Sequence, residues 1–147
     1  MHSIEQLESF ACELFERAGL DADKATTMAE LLVLTDAMGR RTHGLAMLPL
    51  YLAEIAKGTM STSGQPEVVN QRGVVALWDG GYLPGQWVIA RAIDWALPRA
   101  AAQGIAAVTV RRSHHIGCLA ALALRAVEQG FVAIIANSDP AGARVAP

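Results

Sequence analysis

The chain has few of the features that mark several large classes of protein. It contains two cysteines, Cys12 and Cys118, in 147 residues, too few for the disulfide framework of a small secreted domain. No apolar run reaches the roughly 18 to 20 residues of a membrane-spanning helix, and the start has no basic segment followed by an apolar one. The sequence therefore predicts a cytoplasmic protein with reduced thiols and no membrane partner.

Positive charge is also in short supply. The formal net charge is −2, the pI is near 6.0, and a single short basic pair, Arg40 with Arg41, stands beside the polar cluster at 39–51, so nucleic acid is excluded as a predicted partner. The composition is 52% apolar and 18% charged, which excludes a disordered chain. A length of 147 residues suits one ordinary domain with a real core.

The first 60 residues read as helical. Ser3 and Gln6 have the spacing of a capping box, which predicts a helix to about Ala18. A second helix is predicted from a cap at Asp21 to about Met38, and the two should pack as a hairpin. Residues 1–60 are therefore predicted to form an N-terminal helical part.

A polar cluster opens the third predicted helix. Thr42 is the predicted N-cap, and the helix should run from His43 to about residue 57. His43, Met47 and Tyr51 would then lie along one edge, four residues apart. This edge would line up an imidazole, a thioether and a phenol; the alternative is a half-buried helix in which Met47 and Tyr51 are core contacts.

Residues 65–147 read as the start of an incomplete α/β domain that binds cofactor and substrate, with a mixed sheet and crossover helices. A loop at 59–64 separates it from the helical part. Strands are predicted at 67–71, 74–78, 105–110 and 131–136, and helices at 86–103 and 118–129. The strand at 105–110 is predicted to be buried on both faces because its apolar run is continuous.

The chain is organised around the polar turn at 111–117, between that strand and the helix that follows it. Such turns lie where open α/β sheets hold ligands. His114 and His115 have three interpretations here: a general acid or base, metal ligands together with Cys118, or helix capping. Spacing argues against a metal, since no second Cys/His pair stands at ligand spacing. If the strands at 105–110 and 131–136 are parallel neighbours, His115 and Ser138 share one crevice.

Three motifs together resemble the type-2 malate/L-lactate dehydrogenase family, which also contains ureidoglycolate dehydrogenase and reductases of cyclic 2-imino acids. They are Thr-His-Gly-x-x-x-Leu-Pro-x-Tyr at 42–51, Ser-x-His-x-Gly at 113–117, and Ser-Asp-Pro…Val-Ala-Pro at 138–147. The resemblance implies a non-Rossmann dehydrogenase fold, a homodimer, NAD or NADP as cofactor, and hydride transfer to or from a 2-hydroxy or 2-imino/amino acid.

The resemblance also implies roles for single residues. His115 would be the proton acceptor or donor, with His43 beside it in the catalytic group. The substrate would contact Thr42, Met47 and Tyr51, and the cofactor would contact Ser138, Asp139 and Pro140. No metal site is implied.

Two departures from the family pattern qualify this interpretation. Met47 stands where the family carries an arginine that clamps the substrate carboxylate, a pairing that a thioether cannot make; Arg40 or Arg41 is the predicted substitute, unless the substrate is not an ordinary 2-hydroxy acid. Family members are also more than twice this long, which predicts a truncated chain. The alternatives are a non-catalytic module that needs a partner, or a small metal-binding protein that uses His43, His114, His115 and Cys118.

Overall fold

A computed structural model describes residues 2–138. Within that range the fold is α/β, with five α-helices and a three-stranded mixed sheet. In chain order the elements are α1 (Ile4–Arg17), α2 (Ala22–Ala37), two 3-10 turns (Arg41–His43 and Leu45–Met47), α3 (Leu48–Ala56), β1 (Glu67–Arg72), β2 (Val75–Asp79), α4 (Gly85–Gln103), β3 (Ala107–Arg111) and α5 (Leu119–Val127). None of the helices in the described part is long and apolar enough to cross a membrane.

The predicted helical hairpin forms as α1 and α2. The capping box is present in full: Gln6 N–H donates to Ser3 Oγ at 3.2 Å, and Ser3 N–H donates to Gln6 Oε1 at 3.0 Å. Asp21 stands at the N-cap of α2 but makes no capping bond with its side chain. Its carboxylate accepts instead from Lys24 Nζ at 2.8 Å.

Lys24 links α2 to α4. Its side chain is 1% exposed, and its ammonium lies 4.3 Å from the centroid of the Trp87 ring, near enough for a cation–π contact. Asp23 supplies a second carboxylate at 3.3 Å. The buried charge is therefore compensated by two acids and an aromatic face.

The predicted helix starting at Thr42 is wrong in its first turns. Residues 41–47 form two 3-10 turns separated by Gly44, whose ψ of −143° is not helical. Asp36 on α2 explains the break, because its carboxylate accepts the Leu45 N–H at 3.0 Å and a Cβ on Gly44 would collide with it. Thr42 thus caps no helix, and α3 starts at Leu48 with Pro49 in its first turn.

The sheet has the order β1-β2-β3. β1 and β2 form the predicted antiparallel hairpin, and β2 and β3 are parallel, with α4 as the crossover between them. β3 is not buried on both faces as predicted: its residues alternate between exposed and half-buried. The reason is that β3 is an edge strand in the described range, with Val108 and Val110 packed on the cluster of Trp78 and Ala92.

The predicted last strand at 131–136 is also wrong. After Gly130 the chain has no assigned secondary structure to the end of the described residues, and the side chains of Val132 and Ile134 are each 94% exposed. A strand is stabilised by pairing and packing with its neighbours, and no strand of the described range pairs with this segment. The predicted parallel pairing of this segment with β3 is therefore absent.

Candidate active site

A hydrogen bond joins the helical part to the polar turn after β3. The hydroxyl of Tyr51 in α3 lies 2.8 Å from Nδ1 of His115. Tyr51 is fully buried in the helical core, and this burial raises the pKa of its phenol well above its usual range. Tyr51 is thus a neutral hydroxyl, in a fixed position, against the histidine ring.

His43 lies on the other side of that ring. The His43 and His115 rings stack with centroids 5.9 Å apart and an interplanar angle of 27°. The Thr42 hydroxyl is 3.0 Å from Nδ1 of His43, so the residue predicted as a helix cap holds the second imidazole instead. Although the segment is not one helix, Thr42, His43, Tyr51 and His115 come together as one polar group.

Met47 packs against the cluster of buried residues that includes Tyr51. Its side chain is half-buried and packs against the helical core, as the core-contact interpretation predicted for it. Arg40 and Arg41, the predicted substitutes for the missing family arginine, are exposed at the start of the 3-10 turns beside His43.

The backbone of the histidine turn is held by the loop between β2 and α4. Three successive bonds join the two segments: Gly80 N–H to Arg111 O at 2.8 Å, Tyr82 N–H to Arg112 O at 2.6 Å, and His114 N–H to Leu83 O at 3.1 Å. Tyr82 and Arg112 both have positive φ, 58° and 51°. Strain of this kind persists only where the surroundings enforce it, and here the paired loops do so.

Asp79 fixes the first residues of the turn. It is 3% exposed, and its carboxylate accepts from Nε of Arg111 and Nε of Arg112, each at 2.9 Å. The Arg112 bond, with help from the Gly81 N–H and Arg111, lowers the pKa of Asp79 to about 2 although burial opposes the shift. Glu67, paired with Asp79 across β1 and β2, adds a second carboxylate near Arg112, so two acids balance the two guanidinium groups at this end of the sheet.

Two glycines allow the turn to approach α4 closely. A Cβ on Gly85 would collide with the carbonyl oxygens of His114 and His115, and a Cβ on Gly117 would collide with the Gln86 side chain. Gly117 also has a φ of 69°, which favours glycine. Both positions thus require glycine for the turn to lie where it does.

A large open groove of about 1840 Å³ runs from this turn along α4 and β3 to the segment after α5. Its lining includes His114, His115, Arg111, Arg112 and Ser138. Ser138 and His115 therefore line the same groove without the predicted strand pairing. Asp139 and Pro140, the other predicted cofactor contacts, lie outside the described residues.

Sequence reasoning missed Glu54. Its carboxylate lies 3.7 Å from Nε2 of His114, and the available signal was its position three residues after Tyr51 on the same helix face. Within residues 2–138, no three His, Cys, Asp or Glu side chains are grouped so that they could hold a metal ion.

The described fold is thus α/β with two adjacent histidines that line a groove, and imidazoles exchange protons near neutral pH. A sequence model of the malate/L-lactate dehydrogenase family matches residues 2–147. The chain belongs to this family.

Individual proteins of this family are similar to the chain in sequence and in structure. Hydroxycarboxylate dehydrogenase B from Escherichia coli O157:H7 is 30% identical over 87% of this chain and 36% of its own length. The (2R)-3-sulfolactate dehydrogenase (NADP(+)) from Chromohalobacter salexigens is 30% identical over 95% of this chain and 42% of its own. The structure of malate dehydrogenase from Pyrococcus horikoshii OT3 superposes with a TM-score of 0.84 at 31% identity, covering 86% of this chain and 36% of that one. The chain thus spans well under half the length of these relatives.

Proposed function

We propose that this chain carries the proton-transfer site of an NAD(P)-dependent dehydrogenase that interconverts a 2-hydroxy acid, or a 2-amino acid, and its 2-oxo or 2-imino form. The observation that carries the proposal is the 2.8 Å bond between Tyr51 and Nδ1 of His115 at the end of the groove. Family membership supports the class of reaction, and the names of the relatives support hydroxy acids as substrates.

His115 is the proposed proton carrier. When its Nδ1–H donates to the Tyr51 oxygen, the lone pair lies on Nε2, and that nitrogen takes the proton from the substrate hydroxyl. The reverse reaction returns the proton from Nε2 to the 2-oxo group. Burial keeps the Tyr51 phenol neutral. Tyr51 therefore orients the His115 ring in both the forward and the reverse reaction, without adding a negative charge that would stabilise the imidazolium.

The groove fits a nicotinamide cofactor in size and chemistry. Its walls are the apolar face of α4 and β3, which suits an aromatic ring, and Arg111 and Arg112 are also part of its lining, where guanidinium N–H groups can bind a phosphate. The proposed contact nearest the ring is Ser138, with Asp139 and Pro140 following it in the sequence. When bound, the cofactor accepts or donates the hydride at C2 of the substrate.

His43 and Thr42 complete the substrate side of the proposed site. The His43 ring covers one face of His115, and Arg40 and Arg41 on the adjoining turn offer a cation for the substrate carboxylate in place of the arginine that Met47 replaces.

A homodimer, as in the family, is part of the proposal. Sedimentation equilibrium would overturn the dimer if the chain has the mass of a monomer at all concentrations.

A fluorescence titration of the purified chain with NADH and with NADPH tests the proposal, together with turnover on a panel of 2-oxo acids. We expect saturable binding, and turnover that His115→Ala abolishes while the exposed His2→Ala leaves it unchanged. A folded chain that binds neither nucleotide would overturn the proposal for this chain.

The exposed segment after α5 favours a second candidate, a module that needs a partner polypeptide. Val132 and Ile134 are each 94% exposed. Apolar side chains at every second position are typical of a strand that pairs with a neighbour. In this case nucleotide binding should appear when a partner that covers the segment is added, and should be absent without it.

A further inference from the structure

One face of α3 contacts both histidines of the turn. Tyr51 and Glu54 are three residues apart, so their side chains lie on neighbouring turns of the same helix face. Tyr51 bonds His115 Nδ1 at 2.8 Å, and Glu54 Oε2 lies 3.7 Å from His114 Nε2. The second distance is longer than that of a direct hydrogen bond. Adjacent histidines therefore meet successive turns of one helix.

The backbone of His114 has little freedom. Its N–H donates to Leu83 O at 3.1 Å, and its carbonyl lies so close to Gly85 that a Cβ there would collide with it. The imidazole is 17% exposed, and its Nδ1 is buried with no hydrogen-bond partner within the described range. The protonation and the tautomer of the His114 ring therefore depend on Nε2, the nitrogen nearest Glu54.

Glu54 favours one tautomer of that ring. Burial lowers the pKa of His114, and the attraction of Glu54 opposes this shift without cancelling it, so the ring is neutral at neutral pH and carries a single N–H. An N–H on Nε2 lies 3.7 Å from the Glu54 carboxylate, which attracts its partial positive charge. An N–H on Nδ1 would be a buried donor without an acceptor, which is costly. The Nε2–H tautomer is the one that this geometry stabilises.

The carboxylate of Glu54 is itself held in place and charged. The Thr59 hydroxyl donates to Oε2 at 2.5 Å, and the Lys57 ammonium donates to Oε1 at 3.0 Å. These two bonds, the Thr59 bond first, hold the pKa of Glu54 below its usual range. Lys57, Thr59 and His114 are the polar groups that contact the carboxylate.

We propose that Glu54, acting through His114, is a positioning residue: it fixes the histidine turn against α3 so that Tyr51 meets Nδ1 of His115. This role rests on the proposed function, because its value lies in orienting the proton carrier. It assigns a role to two residues, Glu54 and His114, to which the proposed function gives none.

Nitrogen-15 NMR of the histidine side chains in the full 147-residue chain tests the proposal directly. In the wild type we expect His114 as the Nε2–H tautomer. In Glu54→Gln we expect loss of that preference, a lower His114 pKa because the opposing attraction is gone, and a shifted His115 Nδ1 resonance. The same substitution at the exposed Glu16 in α1 is the matched control, and it should reproduce the wild-type spectra.

A double-mutant cycle separates positioning from a general structural effect. If Glu54 acts by aligning Tyr51 with His115, then Glu54→Gln should shift the His115 resonances in the wild type and leave them unchanged in Tyr51→Phe. Equal shifts in both backgrounds would overturn the proposal, as would an Nδ1–H tautomer of His114 in the wild type. The wild-type spectrum decides even if Glu54→Gln does not fold.

These readouts do not depend on turnover. A chain that binds no nucleotide but shows the expected tautomer and cycle would overturn the proposed function and leave the positioning role standing. If instead the wild-type chain turns over substrate and Glu54→Gln leaves the His115 resonances unchanged, the proposed function stands and the positioning role is overturned.

Discussion

The helical part and the α/β part bury their apolar residues differently. The helical part has one continuous cluster of eleven buried residues drawn from α1, α2, α3 and the segments beside them. Nine of the buried residues of the α/β part fall into three clusters of three, each of which includes at least one residue of α4. The most exposed large apolar side chain of the helical part is Phe10 at 57%, whereas Val132 and Ile134 in the α/β part reach 94%.

The candidate site lies where these two regions meet. Tyr51 belongs to the continuous helical cluster, and His115 belongs to a turn whose position depends on loop-to-loop bonds and close glycine contacts. On the helical side, packing in the core holds Tyr51 in place. On the α/β side, the position of His115 depends on positive φ angles, loop-to-loop hydrogen bonds and glycine contacts. Substitutions in the two regions should consequently have different effects, and four of them test the comparison.

The largest effect is expected in the helical core. Phe15 is fully buried, so Phe15→Ala should lower the free energy of unfolding by about 3–5 kcal/mol through lost burial and a cavity. Urea unfolding followed by circular dichroism measures it. The same change at Phe10, 57% exposed on the same helix, should cost less than about 1 kcal/mol; equal losses would show that the cluster is not the core it is described as.

A substitution at the start of α4 should be next in size. Gly85→Ala forces α4 and the histidine turn apart, at a cost of about 1–3 kcal/mol, and it should also lower NADH affinity because the turn lies at the end of the groove. At Gly80 an added Cβ would stand 3.1 Å from its nearest neighbours, so Gly80→Ala should cost less. The unfolding midpoints of the two variants decide this, and a reversed order would argue against the close approach.

The site bond itself should contribute less to stability. Tyr51→Phe removes one hydrogen bond, so we expect a loss of about 1 kcal/mol of stability and about a tenfold fall in kcat/KM. Tyr82→Phe, at a tyrosine that is 52% exposed, is the matched control for loss of a phenol hydroxyl. Similar turnover for the two variants would remove Tyr51 from the proposed mechanism.

The smallest effect is expected after α5. Val132→Thr should change the free energy of unfolding by less than about 0.5 kcal/mol, because the side chain is almost fully exposed. Val88→Thr places the same hydroxyl at a position that is fully buried and should cost about 1–3 kcal/mol. If Val132→Thr destabilised the chain as much as Val88→Thr, the segment would have to be packed in solution.

Elements set by local sequence were predictable, and those set by distant contacts were not. The α1 cap needs only Ser3 and Gln6, and the β1–β2 hairpin needs only its alternating residues and turn, so both were predicted correctly. The segment 41–47 looks helical in isolation, but Asp36 from another helix binds the Leu45 N–H and restarts the helix at Leu48. Likewise, the residues at 131–136 favour a strand, yet strand formation requires a neighbour that no local pattern supplies.

The residues of the candidate site were likewise predictable only in part. The motifs placed Thr42, His43, Tyr51 and His115 in one group, and the structure brings them together, although their chemical roles stay proposals. Met47 was predicted to contact the substrate from its place in the motif; it packs against the helical cluster that also contains Tyr51, and its contact with the substrate stays a prediction. Glu54 has no motif of its own, since its partner His114 is sixty residues away in the sequence.

The two lysines of the chain, Lys24 and Lys57, form a built-in pair of chemical reporters. Lys57 is 63% exposed, whereas Lys24 is 1% exposed beneath Trp87. An amine-selective label should therefore modify the exposed Lys57 readily and reach Lys24 only when α2 separates from α4. The ratio of the two labelling rates reads out how often the contact between the helical part and α4 opens, without any substitution in the protein.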